Sequence, residues 1–512
     1  FNVTGSDYGV YACNGGKAKV SKATASAAGG RAVYVSGFNS SVTVEGDAVA
    51  NGENGVAAYT NGDNSCTATI EGDVYANGVG GIGAWADTAS QITVNRRIHA
   101  SNYLKCGTTI KAEGEQNSTV DNYHVYMDGS NAVRARQEVC NLNGTNYLYL
   151  EDALAAAGHG DTITLLADIR YKKEIILEGK DLHFNLDIYK LNIGNGTSNP
   201  ALKVDRGILS IDESTGAGEF NIVAGYIGVK LLNGGSAAVT SIYEERESAL
   251  SGYGISADGG SLTVTGNIKV TGHVGTAMIA GGGSSIHVLG NIECRQGLTV
   301  GGSRTNVVVD GNLIASNGTA MTVHDGASVT VKGNASGAFR GIGAYARSGD
   351  GGKVHVLGNV NGAGEYGIEA LAGSEVIVDG YVSSLKGLKA YGEGTSITVN
   401  GNTTSTGAGE HGASAFEGGL ITIGGKIIAP EYVLIEQTTL GEAEGVVKGR
   451  YKVYSDGTST VRLNWLEFFK EDFERGINNP GWTWSGEGWS ITDYLNRPAA
   501  DAHSGDYVAM FN

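Results

Sequence analysis

Along most of the chain, apolar and polar residues alternate in triplets, and each triplet is followed one residue later by glycine. The pattern reads "VTVEGD" from Val42, "ATIEGD" from Ala68, "LTVTGN" from Leu262 and "IHVLGN" from Ile286. It returns as "VVVDGN" from Val307, "VTVKGN" from Val329, "VHVLGN" from Val354, "VIVDGY" from Val376, "ITVNGN" from Ile397 and "ITIGGK" from Ile421. The first and third residues of each triplet share one face of an extended chain, so each triplet predicts a short strand with one side buried. Glycines 266, 290, 311, 333, 358, 380, 401 and 425 are spaced by 24, 21, 22, 25, 22, 21 and 24 residues. A fixed period of this size is the signature of a solenoid. One unit of 21–25 residues fits one turn of a three-sided parallel β-helix, with each coil adding about 4.8 Å.

A second, weaker strand follows in each coil, as in "GIGAYA" from Gly341, "GIEALA" from Gly367, "GLKAYG" from Gly387 and "GASAFE" from Gly412. The glycine after each triplet is expected to supply a turn with positive φ. The asparagines behind it, Asn267, Asn291, Asn312, Asn334, Asn359 and Asn402, are expected to stack from coil to coil with their amides hydrogen-bonded along the axis. Residues 180–250 fit the repeat poorly, and the charged run "SIYEERES" from Ser241 reads as a loop excursion.

The strongest internal match lies elsewhere. "YHVYMDGSNAVR" (Tyr123–Arg134) and "YKVYSDGTSTVR" (Tyr451–Arg462) agree at seven of twelve positions, at an offset of 451 − 123 = 328. Each reads as an Asp-Gly hairpin that closes one β-helix. Between them, "LEDALAAA" from Leu150 predicts a short helix with Leu150 and Leu154 on one face and Gly158 or Gly160 at its end. Such a helix would cover the open first coil of a second solenoid. The expected order is the end of a first β-helix with its closing hairpin over 1–143, a complete second β-helix with a cap helix over 144–464, and the start of a different domain over 465–512. Three of the five tryptophans, Trp482, Trp484 and Trp489, fall in that last stretch, where the repeat is gone. The chain begins at Phe1 without a signal-peptide pattern and reads as a piece of a longer protein.

Composition narrows the function. Gly is 82 of 512 residues, more than twice ordinary usage, while Pro is only 4, which excludes collagen-like and proline-rich chains. A net charge of −17 argues against nucleic acid, which is met by a basic face. No run of 18 apolar residues exists to span a membrane. Cys13, Cys66, Cys106, Cys140 and Cys294 are far apart and form no CxxC pair, so they read as small buried hydrophobes.

The repeats resemble the pectin-lyase-like right-handed parallel β-helix superfamily, and "YLEDALAAAGHGDTITLLADI" resembles the opening of β-helix modules in bacterial surface proteins. This resemblance covers about 460 residues and concerns architecture. The segment "EDFE…PGWTW…W…AHSGDYVA" from Glu471, about 40 residues, resembles the start of a cleaved-adhesin or choice-of-anchor J jelly-roll domain, a MAM-like sandwich. Together the resemblances imply an all-β chain and an extracellular, cell-surface protein that adheres to glycans or to host or matrix surfaces.

Three functions are therefore carried forward. The first is a non-enzymatic β-helical adhesin or stalk. The second is a polysaccharide lyase or glycoside hydrolase of β-helix type, which would need a base or paired carboxylates beside the bond. The third is a structural filament whose solenoids join end to end. The "NTD", "DD" and "RIK" trio of polygalacturonase-like enzymes is absent, and "GHG" at Gly158–Gly160 precedes the coils. Arg295, Arg304, His324, Asp325, Arg340 and His355 are loose candidates for an outer face, and His287 and His355 share the middle triplet position. The recurrent outward threonines, such as Thr330, Thr398 and Thr422, are interrupted too often to form an ice-binding array. Trp482, Trp484 and Trp489 are the residues placed in ligand binding, with a domain-core role as the competing reading. No cofactor is expected. Ca2+ is the one cation left open, because "RSGDGGKV" from Arg347 only faintly echoes a calcium-binding repeat.

Overall fold

The computed structural model describes residues 1–62, 65–194, 200–212, 216–244, 252–272, 275–345 and 350–464, with the backbone of 489–493 and 507–511. It is a parallel β-solenoid in which strands dominate, with one α-helix among the described residues. Its contacts divide it into two compact units: residues 1–275 with 284–289, and residues 276–283 with 290–512.

In the first unit, residues 1–106 form coils of three strands. One coil runs Ser41–Val44, Ala48–Ala50 and Val56–Asn61; the next runs Thr67–Ile70, Val74–Ala76 and Ile82–Asp87. Each strand pairs in parallel with its counterpart one coil on, Val42 opposite Ala68 and Val44 opposite Ile70. The core is rich in alanine and valine, including the buried Ala23, Ala25, Val42, Val44 and Ala48, with Ile70 among its larger members. In these two coils the middle strand is three residues long and directly follows Glu-Gly-Asp, so it carries too few residues for its alternation to stand out in the sequence.

The described part of 180–244, where the repeat fits poorly, is built of coils too, and Ser241–Tyr243 at the start of the charged run is a strand rather than the loop expected there. Strands Asp181–Asn185, Ile208–Asp212 and Ile227–Val239 continue one parallel ladder, and Lys190–Ile193, Glu219–Val223 and Ser241–Tyr243 continue another. The glycine-turn signature is missing because these coils are filled differently: Leu182, Leu191 and Leu209 line the core with Phe184 and Phe220, whose rings lie 5.3 Å apart. The part of "SIYEERES" beyond Glu244 lies outside the described residues.

The predicted helix, α1, spans Leu150–Ala156, but it buries Leu150 and Ala153 rather than Leu150 and Leu154. It ends because Ala157 turns extended (φ −64, ψ 133), while Gly160 takes positive φ only three residues later.

In the second unit the triplet strands keep register over six coils. Val307, Val329, Val354, Val376, Ile397 and Ile421 stand in one buried column, and Val461 of the closing hairpin completes it. The repeat glycines do not act as expected, since none of 311, 333, 358, 380 and 401 has positive φ. Their role is close approach. The Gly311 N–H donates to the Gly290 carbonyl at 3.1 Å, and Gly333, Gly358 and Gly380 repeat the bond at 3.1 Å each. A Cβ on Gly311, Gly333, Gly358 or Gly380 would lie 2.5 Å from the carbonyl oxygen of the glycine one coil before.

The asparagine ladder runs beside this column. Asn291 Oδ1 accepts the backbone N–H of Asn312 at 2.8 Å, and Asn312 and Asn334 accept from Asn334 and Asn359 at the same distance. The amide-to-amide bonds expected from the sequence are longer, 3.3 Å from Asn312 to Asn291 and 3.2 Å from Asn334 to Asn312. In the first unit Asp47 and Asp73 play the same part, accepting from the N–H of Asp73 at 3.0 Å and of Arg97 at 2.9 Å. Positive φ belongs to a different corner, at Gly302, Asp325, Gly326 and Gly373.

Most of 465–512 lies outside the described residues; there, Trp489–Asp493 and Tyr507–Phe511 pair as an antiparallel ladder. No helix among the described residues is long and apolar enough to cross a membrane.

Two outcomes follow. Gly358→Ala drives a methyl group into a backbone carbonyl and is expected to destabilise the chain by about 2–3 kcal/mol. Gly373→Ala, with positive φ and open space around it, is expected to cost about 1–2 kcal/mol; urea unfolding of both variants measures the difference. None of the five cysteines is in a disulfide, and burial raises the thiols of Cys106 to about 11 and of Cys140 and Cys294 to about 12. Iodoacetamide at pH 8 should therefore leave these three unmodified in the native chain and label them after unfolding, as mass spectrometry would show.

Candidate functional site

The repeated hairpin motif closes a ladder in each unit by the same device. In the first, Asn131–Arg136 pairs in parallel with Gln91–Val94, and Tyr123–Asp128 folds back on it. In the second, Thr460–Asn464 pairs with Leu420–Ile423, and Tyr451–Ser455 folds back. A small hairpin precedes each: Asn102–Cys106 with Thr109–Lys111, and Glu431–Ile435 with Thr438–Leu440. Two tyrosines meet edge to face under each cap. Tyr103 and Tyr126 have ring centroids 5.9 Å apart at 60°, and Tyr432 and Tyr454 are 5.8 Å apart at 60°. Burial pushes all four phenols up, Tyr432 to about 12. The turn above is pinned alike: Ala112 N–H donates to Glu115 and Gly441 N–H to Glu444.

Beside the first cap the chain leaves a cavity of about 420 Å³. The strand Ile98–Ala100 brings His99, the hairpins bring Tyr103, His124 and Arg136, and the turn after Lys111 brings Glu113. Gln137 and Glu138 line it as the chain leaves the cap, with Ile98, Leu148 and Leu166 as its apolar part. Arg97 is tied to Glu138 Oε1 at 3.0 Å and to the Asn146 carbonyl at 2.8 Å. Glu138 also accepts from Asn146 Nδ2 at 2.6 Å. The Arg136 guanidinium lies 5.0 Å from the Tyr123 ring and 4.7 Å from the Tyr149 ring. His99 stacks on Tyr75 at 4.7 Å. His124 Nδ1 is 3.2 Å from the Thr119 hydroxyl, and burial holds its imidazole below the usual histidine range. Gln137 Oε1 is buried without a hydrogen-bond partner. None of this constellation was singled out from the sequence, because it joins residues 97–166 through three elements; the one available signal was the duplicated cap itself.

The residues that were singled out lie elsewhere and are mostly paired. In the second unit, Arg340 binds Glu365 at 2.6 Å and Glu369 at 2.9 Å, and Lys389 binds Glu369 at 3.0 Å. Arg340 reaches them by lying over Gly343, where no side chain obstructs it. His324 Nδ1 is 2.9 Å from Asp325 Oδ2, and its ring stacks on Tyr345. His355 Nε2 is 3.0 Å from Asp379, and it stands in a column between Thr330 and Ile377. His287, in the first unit, stands opposite Thr263. Arg304 is exposed in a positive-φ turn, and Arg295 is half-buried. His159 of "GHG" contacts Asp181 at 3.5 Å. Trp482 and Trp484 lie outside the described residues, and Trp489 is placed by its backbone alone. Among the described residues no three His, Cys, Asp or Glu side chains gather as a metal site.

An aromatic column was also missed. Tyr11, Tyr34, Tyr59 and Trp85 occupy one register position on successive coils, with centroids 4.7, 5.2 and 4.7 Å apart. Arg31 packs on Tyr34 and Tyr59, and Lys105 Nζ sits 3.8 Å from the Trp85 ring. Its sequence signal was the spacing 34 − 11 = 23, 59 − 34 = 25 and 85 − 59 = 26. The tyrosine rings stack face to face and Trp85 tilts by 53° against Tyr59 with Lys105 beside it, so the column braces successive coils.

The fold places the chain among parallel β-solenoid proteins. No protein-family model matches it, and no curated protein matches it in sequence. Among solved structures it is similar to the A-module of mannuronan C-5 epimerase AlgE6 of Azotobacter vinelandii, with 13% identity and a TM-score of 0.30, over 57% of this chain and 93% of that one.

Since burial disfavours the charged imidazole, His124 should titrate with a midpoint below about 6.5 in a histidine NMR series. The sign is that of a depressed base. Its contribution to stability is complete above about pH 6.5 and falls as pH drops through that value toward the folded midpoint.

Proposed function

We propose that the chain is a non-enzymatic, extracellular bacterial surface protein, a β-helical adhesin or stalk that holds glycans or host and matrix surfaces. The repeats would then be pectin-lyase-like modules used as scaffold, and 465–512 would open an adhesin-type sandwich. The observation that carries this reading is the pairing of the outward charges. Arg340, Lys389, His324 and His355 are each engaged by a carboxylate of their own or the next coil. A base or acid held this way braces neighbouring coils instead of converging on a substrate. A solenoid stabilised by nearest-neighbour stacking is suited to presenting binding surfaces.

Polysaccharide cleavage is the second reading, favoured by the cap cavity, where His99 and His124 share one space with Glu113 and Glu138. Incubating the purified chain with a panel of labelled polysaccharides separates the readings, with chain length and retention on the protein scored together. Intact, retained polysaccharide is expected. Shortened chains would overturn the adhesin reading in favour of the enzyme. Polysaccharide neither cut nor held, with the chain sedimenting as a polymer, would leave the filament.

A further inference from the structure

We infer that the cavity beside the first cap is a saccharide-binding site for one or two sugar units, an inference that rests on the glycan-adhesion reading and deepens it. The two caps form an internal comparison. By strand register, Arg97, His99, Tyr103, Glu113, His124 and Arg136 correspond to Lys426, Ile428, Tyr432, Glu442, Lys452 and Asn464. The tyrosine and the glutamate recur in both, as does the tyrosine pair beneath each turn. Both histidines and Arg136 do not. Closing a ladder therefore does not itself require the two histidines and Arg136, although Arg136 also packs on Tyr123 and Tyr149 and His99 stacks on Tyr75.

Gln137 also lines the cavity, although its Oε1 is buried from solvent and without a hydrogen-bond partner. The remaining groups are of mixed sense: Arg136 donates, Glu113 accepts, and a neutral His124 does both. Arg97 is already neutralised by Glu138, so the cavity lacks the concentration of free positive charge that a phosphate would select. Ile98, Leu148 and Leu166 add an apolar part for the C–H face of a ring. A volume of about 420 Å³ lies in the range of small-molecule sites, roughly 300–1,000 Å³. Donors, acceptors and a small apolar wall in one space of this size fit a hydroxyl-rich ring.

The test uses the full chain and four probes (lactose, cellobiose, N,N′-diacetylchitobiose and digalacturonate), each titrated by calorimetry. At least one probe is expected to bind. Two variants are compared: Gln137→Leu, which removes the side-chain amide of a lining residue, and His124→Lys, which copies the second cap and so is compatible with closing a ladder. Each is expected to weaken binding about tenfold or more, with the thermal midpoint near that of the parent. Probe binding unchanged in both variants would overturn the inference while glycan adhesion stands. No probe binding, with long polysaccharides still retained, would do the same. Failure of both probes and polysaccharides would overturn the inference and the adhesion reading together.

Discussion

The structure depends on how closely one coil can approach the next at a single corner. In the second unit the glycine column brings backbone against backbone, N–H to carbonyl, with no room for a Cβ between them. Asparagine then binds the neighbouring N–H on the same edge. This fixes the register of the following three-residue strand, which is too short to fix its own. With register fixed, the alternating triplets stack valine on valine, and the buried face becomes continuous. The first unit reaches the same geometry with Gly46 and Gly72 and with aspartate in place of asparagine.

Stacking also explains the outer surface. Side chains that occupy one register position on successive coils stand about 4.8 Å apart and must be compatible with their neighbours. The chain meets this with aromatic rings in one column and with opposite charges in others, such as Lys353 facing Glu375 in register. A surface satisfied by its own repeats has few groups left for a ligand. Groups free for chemistry are then expected where the repeat stops, and the cap cavity lies at such a place.

How much of this was legible in the sequence follows from the same physics. The triplets were legible because a one-sided strand must alternate, and the caps because "YHVYMDGSNAVR" is written twice. The glycine period was legible, but its cause was not. A turn glycine and a close-approach glycine look alike in sequence, and only the φ angles and the carbonyl distances separate them. The coils between 181 and 243 fit the repeat poorly because Phe184 and Phe220 fill the interior that valine and alanine fill elsewhere. The helix face was misjudged by one position because a seven-residue helix packs on whichever turn reaches the core. The cavity was invisible because its residues come from separate elements, and of the tryptophan-rich segment that sequence favoured only the backbone of 489–493 and 507–511 is described.

The central claim is that inter-coil backbone bonds at the glycine and asparagine corner hold the stack together. Amide hydrogen exchange on the native chain tests it directly, read at Gly311, Gly333, Gly358 and Gly380 and at Asn312, Asn334 and Asn359. The account predicts that these amides are protected as strongly as those of the buried triplet strands, because opening any one requires separating two coils. Exchange at the rate of exposed turns, with the strands still protected, would contradict it.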